Sequence, residues 1–166
     1  LARNALACEI NGETHELFTP LNDGDKLSIL TFQDEMGRWT LRHTAAHILA
    51  QAVQHLYPDA RFAIGPAIEN GFYYDFDRDE PFTQEDLDKI EAEMRRIVKE
   101  NLPLERFVLS KEEALAKMAH EPYKVELIEN LPEGEEISFY KQGDFCDLCA
   151  GPHLVSTGGV KAIKLT

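Results

Sequence analysis

Residues 40–58 read TLRHTAAHILAQAVQHLYP, and the spacing of their apolar side chains predicts a helix over Thr40–Tyr57. Leu41, Ala45, Ile48, Leu49, Ala52, Val53 and Leu56 recur at helical intervals, and Pro58 stops the run. On such a helix His43 and His47 lie one turn apart and point the same way. One element therefore carries a core stripe and a pair of imidazoles, and the rest of the chain must pack around both.

Downstream, Arg61 to Phe76 is expected to be extended, with turns at Gly65-Pro66 and Asn70-Gly71 and a strand favoured by Phe72-Tyr73-Tyr74. Thr83 followed by Asp86 reads as a capping box. It opens a helix whose apolar stripe is Leu87, Ile90, Met94, Ile97 and Val98, ending at Asn101-Leu102-Pro103. Leu104 to Leu109 predicts a short strand, Ser110 with Glu113 opens a helix through Met118, and Pro122 precedes a brief helix over Tyr123 to Glu129. Ile137 to Tyr140, Asp144 to Leu148 and Val160 to Leu165 return as strands. Helices mixed with hairpin-style strands, without regular βαβ alternation, predict an α+β fold in which helices pack on an antiparallel sheet.

Upstream, residues 1–33 read as small β structure. Leu6 to Ile10 is followed by a turn at Asn11-Gly12, a return through Leu17, a second turn at Asp23-Gly24, and Leu27 to Phe32. This stretch is too short for a core of its own. The polar run Gln33 to Arg38, with Gly37, is expected to be a linker, so the chain divides into 1–33, a linker at 34–39, and a main domain at 40–166.

With 166 residues and 43% hydrophobic content, the chain suffices for one domain or one domain plus a fragment. It begins with Leu1 rather than Met, which reads as an excised piece of something longer. No apolar run approaches the roughly 20 residues of a membrane helix, so a soluble, cytoplasmic protein without a membrane partner is expected. Cys8, Cys146 and Cys149 are too few and too uneven for a disulfide framework and read as reduced thiols. A net charge of -13 and pI near 4.8 argue against free-standing nucleic-acid binding, because phosphates need local Lys and Arg. An RNA partner would be held by another part of a longer protein, or by patches such as Arg95, Arg96 and Lys99.

A second chemical cluster, Cys149-Ala150-Gly151-Pro152-His153, falls in a loop, because Gly-Pro cannot continue a helix. HxxxH alone is common by chance, and a buried free cysteine is most often a small hydrophobe. In combination, three histidines and a cysteine are a zinc ligand set. Four protein ligands would close the coordination sphere as in structural sites, however, whereas catalysis needs an open position. Cys146-Asp147-Leu148-Cys149 also spells CxxC, but a Gly-Pro turn follows where a thioredoxin-type motif would open a helix. His15, His55 and His120 have no such support and are expected to be solvated.

Four motifs occur in order: Arg42-His43-Thr44-Ala45-Ala46-His47, the stretch Ala63-Ile64-Gly65-Pro66 through Asn70-Gly71-Phe72-Tyr73-Tyr74-Asp75, Tyr123-Lys124, and Asp147-Leu148-Cys149-Ala150-Gly151-Pro152-His153. Together they resemble the editing domain of bacterial-type threonyl-tRNA synthetases, which is related to that of alanyl-tRNA synthetases. The resemblance covers residues 38–166, while 1–33 resemble the C-terminal part of the β-grasp domain, called TGS, that precedes it. The class II core, with its ATP, Mg2+ and zinc sites, would lie beyond Thr166.

The resemblance implies hydrolysis of serine mischarged onto threonine tRNA. Serine lacks only a methyl group of threonine, and one methyl supports only about 1–3 kcal/mol of discrimination, so a second, hydrolytic pocket is needed. It implies catalytic roles for His43, His47, Lys124, Cys149 and His153, with Tyr74 and Asp147 binding substrate. It implies editing without a metal; zinc on His43, His47, Cys149 and His153, as in the alanine branch, is the alternative. The implied partners are the mischarged tRNA and the rest of a synthetase that is a homodimer. Cys146 departs from the family pattern, and its thiol would strengthen metal capture or oxidise with Cys149. Two other readings stand beside this one: a zinc-dependent hydrolase of the alanyl type, and a non-catalytic, zinc-stabilised RNA-binding module.

Overall fold

A computed structural model describes residues 2–166; Leu1, the first residue of the expected β-grasp segment, lies outside them. The chain opens with three antiparallel strands, β1 (Ala7–Ile10), β2 (Glu13–His15) and β3 (Leu27–Leu30), with β1 in the middle. Asn11 and Gly12 both take positive φ, 54° and 91°, which is the conformation a two-residue hairpin turn between Ile10 and Glu13 demands.

Helix α1 (Glu35–Leu56) begins five residues before the expected Thr40, so most of the stretch read as a linker is its first turns. The polar composition there reflects a solvent-facing helix start rather than a flexible segment. The Asp34 carboxylate accepts from the Thr31 amide at 2.7 Å, and a Cβ on Gly37 would collide with the Thr31 carbonyl, so glycine lets the helix press against the preceding turn. Every residue from His43 to Val53 is buried, so the helix is enclosed on all sides rather than along one stripe. Helix α2 (Gln84–Glu100) packs against it through Ile90, Met94 and Ile97, opens with the expected Thr83–Asp86 capping box and ends at Asn101 in the left-handed region.

Between them the chain makes one bent hairpin from four two-residue pieces. These are β4 (Arg61–Phe62), β5 (Ala67–Ile68), β6 (Gly71–Phe72) and β7 (Phe76–Asp77), pairing β4 with β7 and β5 with β6. The tip turn is Glu69-Asn70, one residue before the expected position, and Tyr73 and Tyr74 lie between strands. The main sheet follows as β8 (Glu105–Leu109), β9 (Ile137–Gln142) and β10 (Phe145–Leu148), antiparallel with β9 central. Helices α3 (Lys111–Lys117) and α4 (Pro122–Glu129) cover one face, where Ala114, Met118 and Ile128 meet Ile137 and Phe139. The other face carries Tyr140, Phe145 and Asp147 toward α1. The expected α+β architecture of helices on an antiparallel sheet is the one found.

Val160 to Leu165 is not a strand. It sends Val160 and Ile163 into the core, and side chains of α2 take two of its backbone groups. Arg95 donates to the Ile163 carbonyl at 2.9 Å, and the Leu165 amide donates to Glu91 at 2.9 Å. No helix among the described residues is long and apolar enough to cross a membrane.

Candidate active site

Helix α1 aims His43 and His47 at the turn that follows β10. There Cys149 is pinned by two bonds to Ser138 of β9: the Cys149 amide donates to the Ser138 carbonyl at 3.0 Å, and the Ser138 hydroxyl to the Cys149 carbonyl at 2.7 Å. The two histidines of the helix and the Cys149–His153 pair converge, with one donor atom from each of the four residues within 4.8 Å of the others. Cys149 Sγ lies 3.3 Å from His43 Nε2 and 3.2 Å from His153 Nε2.

Thr44, between the two helix histidines, locks this arrangement. Its hydroxyl donates to the Thr40 carbonyl at 3.0 Å, so its oxygen accepts from the Leu154 amide and from His153 Nδ1, each at 3.0 Å. His153 thus carries its proton on Nδ1. His43 Nδ1 faces the Pro152 carbonyl at 3.3 Å, an acceptor only, so His43 is protonated on the same atom. Both Nε2 lone pairs therefore face one thiol, which has a single proton to give. The Nδ1 of His47 is buried with no partner among the described residues.

Burial holds all three imidazoles in the neutral form. Desolvation lowers His43, takes His47 down to about 3 and pushes His153 well below the ordinary histidine value. The Cys149 thiol is raised to about 12 by burial, against the opposing pull of the Gly151 amide. A charged cluster adjoins this neutral one. Lys124, from the first turn of α4, lies 2.7 Å from Asp147 Oδ1, while the Tyr74 hydroxyl donates to Asp147 Oδ2 at 2.7 Å and accepts from Lys124 at 3.0 Å. All three side chains are buried, and His47 Nε2 stands 3.9 Å from the same carboxylate. Tyr74 reaches this place because its ring lies where a side chain on Gly65 would be.

Every residue expected at the site is therefore in one place, and Cys146 is not. Along β10 it points away from Asp147, into the apolar cluster under α3 and α4, and all three cysteines are free thiols. His55 corrects the expectation of solvation. Burial disfavours its charge, but hydrogen bonds to Asp144 at 2.9 Å and Glu93 at 2.6 Å outweigh that and raise its pKa. Arg95 and Arg96 are engaged with Glu91, Glu93 and Glu100 of their own helix, which leaves little of the basic patch expected there.

Residues 137–166, which include Asp147, Cys149 and His153, match the family described as the threonyl and alanyl tRNA synthetase second additional domain. Over 99% of its length the chain is 67% identical to a threonine–tRNA ligase of Clostridium tetani and 66% identical to one of Acetivibrio thermocellus. A third such ligase, from Clostridium botulinum, is 65% identical over the same span. Along almost its whole length the chain is thus similar to one segment of threonine–tRNA ligases. It spans about a quarter of these relatives, 26% of their length.

The donor set suits a metal of the zinc type. Two imidazole lone pairs and a thiol already face one another, and His47 and His43 rise from the same helix face. His43, His47, Cys149 and His153 would hold the ion; with all four bound its sphere would be closed as in structural sites, so Lewis-acid chemistry there would need one of them to yield its place to water. Three further residues around this cluster escaped the sequence reading. Thr44 was inside the quoted motif, and a hydroxyl between two ligand-type residues on a buried helix was the available signal. Trp39, one turn before His43 with ring centroids 4.6 Å apart, shared that helix face but fell in the supposed linker. Glu16 had no local signal, because its partner Tyr140 is far away in the chain.

Proposed function

We propose that this site hydrolyses the ester of serine mischarged onto threonine tRNA. The observation that carries the reading is the junction of two clusters: two neutral imidazoles turn their Nε2 lone pairs to a thiol with a single proton, so that one lone pair stays free, beside the buried Lys124–Asp147–Tyr74 triangle. A lone pair accepts the proton of a water that attacks the ester carbonyl. The tetrahedral oxyanion is stabilised by a cation, and the ribose oxygen leaves with a proton. His43 is the more accessible of the two helix histidines, at 8% exposure against 2%, and is assigned the water-orienting role. Lys124 stabilises developing charge, Asp147 takes the amino group or hydroxyl of serine, and Tyr74 holds Asp147 in place. Cys149 and His153 set the other wall of the pocket. Threonine is refused by size.

On this reading residues 1–33 are the C-terminal part of a TGS-type β-grasp domain and 40–166 the editing domain. The surrounding protein is the ATP-, Mg2+- and zinc-dependent ligase, a homodimer working in the cytoplasm. The converging donor set favours one second reading, in which zinc on His43, His47, Cys149 and His153 drives the hydrolysis.

The test is the rate at which the protein releases serine and threonine from threonine tRNA charged with each. Selective loss of serine is expected, and equal or absent release from both would overturn the proposal.

A further inference from the structure

Glu16 is a buried carboxyl, 7% exposed, in a segment where Glu13 and Asp23 face solvent and Glu9 and Asp25 are half-buried. Its backbone is held by the N-terminal sheet, where Cys8 Sγ donates to the Glu16 carbonyl at 3.4 Å. Its carboxylate crosses to the main sheet and accepts the hydroxyl of Tyr140, itself 1% exposed. The Tyr140 ring stands edge-on against His153, with centroids 4.5 Å apart and planes at 66°. Gly151, whose φ is 75°, lies so close to this pair that a Cβ there would collide with the Tyr140 hydroxyl and come within 3.0 Å of the Glu16 carboxylate.

We infer that Glu16 is a positioning residue of the hydrolytic site, holding Tyr140 so that His153 and the Gly151 turn keep Cys149 in register with the helix histidines. The inference rests on the hydrolytic reading above. A buried acid with one strong acceptor contact is costly unless its partner stays in place, so the N-terminal segment supplies a fixed post against which the 149–153 turn is braced. The site is thus assembled from both sheets rather than from the main domain alone.

The test compares Glu16→Ala, Glu16→Gln, Tyr140→Phe and the Glu16→Ala/Tyr140→Phe double variant in the whole protein. Glu16→Ala and Tyr140→Phe are expected to lower kcat for deacylation by roughly ten- to a hundredfold, with KM within about twofold, because the damage is to alignment. Glu16→Gln, which keeps an acceptor for the tyrosine, restores most of the rate, and the double variant is no worse than the poorer single one. A second readout is alkylation of Cys149 by iodoacetamide, followed residue by residue with mass spectrometry, which quickens in the same two variants and returns with Gln. Unchanged kcat and alkylation would overturn the inference. So would parallel falls in kcat, KM and melting temperature without rescue by Gln, since that is the mark of a scaffold contact only. If the parent protein releases no amino acid, the hydrolytic reading fails and the alkylation series alone decides whether Glu16 positions Cys149.

Discussion

The Nζ of Lys124 sits 2.7 Å from Oδ1 of Asp147, and both side chains are shut away from solvent. Removing one partner strands the other. Lys124→Ala should cost about 3–5 kcal/mol of folding stability, while Lys124→Met combined with Asp147→Leu should recover much of that loss. Urea denaturation of the three proteins checks both statements. A Lys124→Ala protein as stable as its parent would show that the pair is screened by water.

Thr44 serves as acceptor for His153 Nδ1 and for the Leu154 amide through one oxygen. Thr44→Val keeps the shape and deletes that acceptor, leaving two buried donors unmet, with an expected loss of about 1–3 kcal/mol for each. Thr44→Ser should stay near the parent. The melting curves of the two variants separate loss of the hydroxyl from loss of the methyl.

Replacing His43 and His47 together by Ala should abolish release of serine while circular dichroism stays that of the parent. Full activity would remove both from the chemistry. After chelation and gel filtration the parent is expected to keep its rate. Loss of the rate, with restoration by stoichiometric zinc, would transfer the assignment to the metal-dependent reading.

His55 provides a pH test away from the site. Asp144, from the turn between β9 and β10, and Glu93, from α2, both face it, with Arg96 of α2 3.5 Å from its Nδ1. The two carboxylates outweigh burial and raise its pKa in the folded state. The stabilisation is therefore fully present below the unfolded value near 6.5 and fades as pH rises through the higher folded value. The difference in melting temperature between the parent and His55→Gln should shrink from pH 6 to pH 9. A difference that is constant across that range would refute the linkage.

The parts of this fold legible in sequence are those set by local rules. The Thr83–Asp86 and Ser110–Glu113 boxes opened their helices as read, Asn11-Gly12 made its turn, and the site motifs pointed to residues that do converge. What escaped is non-local. The 34–39 stretch looked unstructured because its helical turns face water, and its anchor is a backbone contact between Gly37 and Thr31. Val160 to Leu165 read as a strand, but Arg95 and Glu91 took backbone bonds that a neighbouring strand would have made. His55 looked idle because Glu93 and Asp144 are distant in sequence.

Ala45, Ala46, Ala50 and Ala52 are between 0% and 4% exposed on the enclosed stretch of α1 that carries His43 and His47. Side chains this short act as a ruler, setting how near the helix axis lies to its neighbours and hence how far the imidazoles reach toward Cys149. A single extra methylene at these positions would overpack the interior, and the backbone shifts needed to relieve it would displace the imidazoles. The precision of the His–Cys convergence is therefore written in the smallest side chains of the interior, and selection on that geometry would be felt as selection on size at positions outside the cluster.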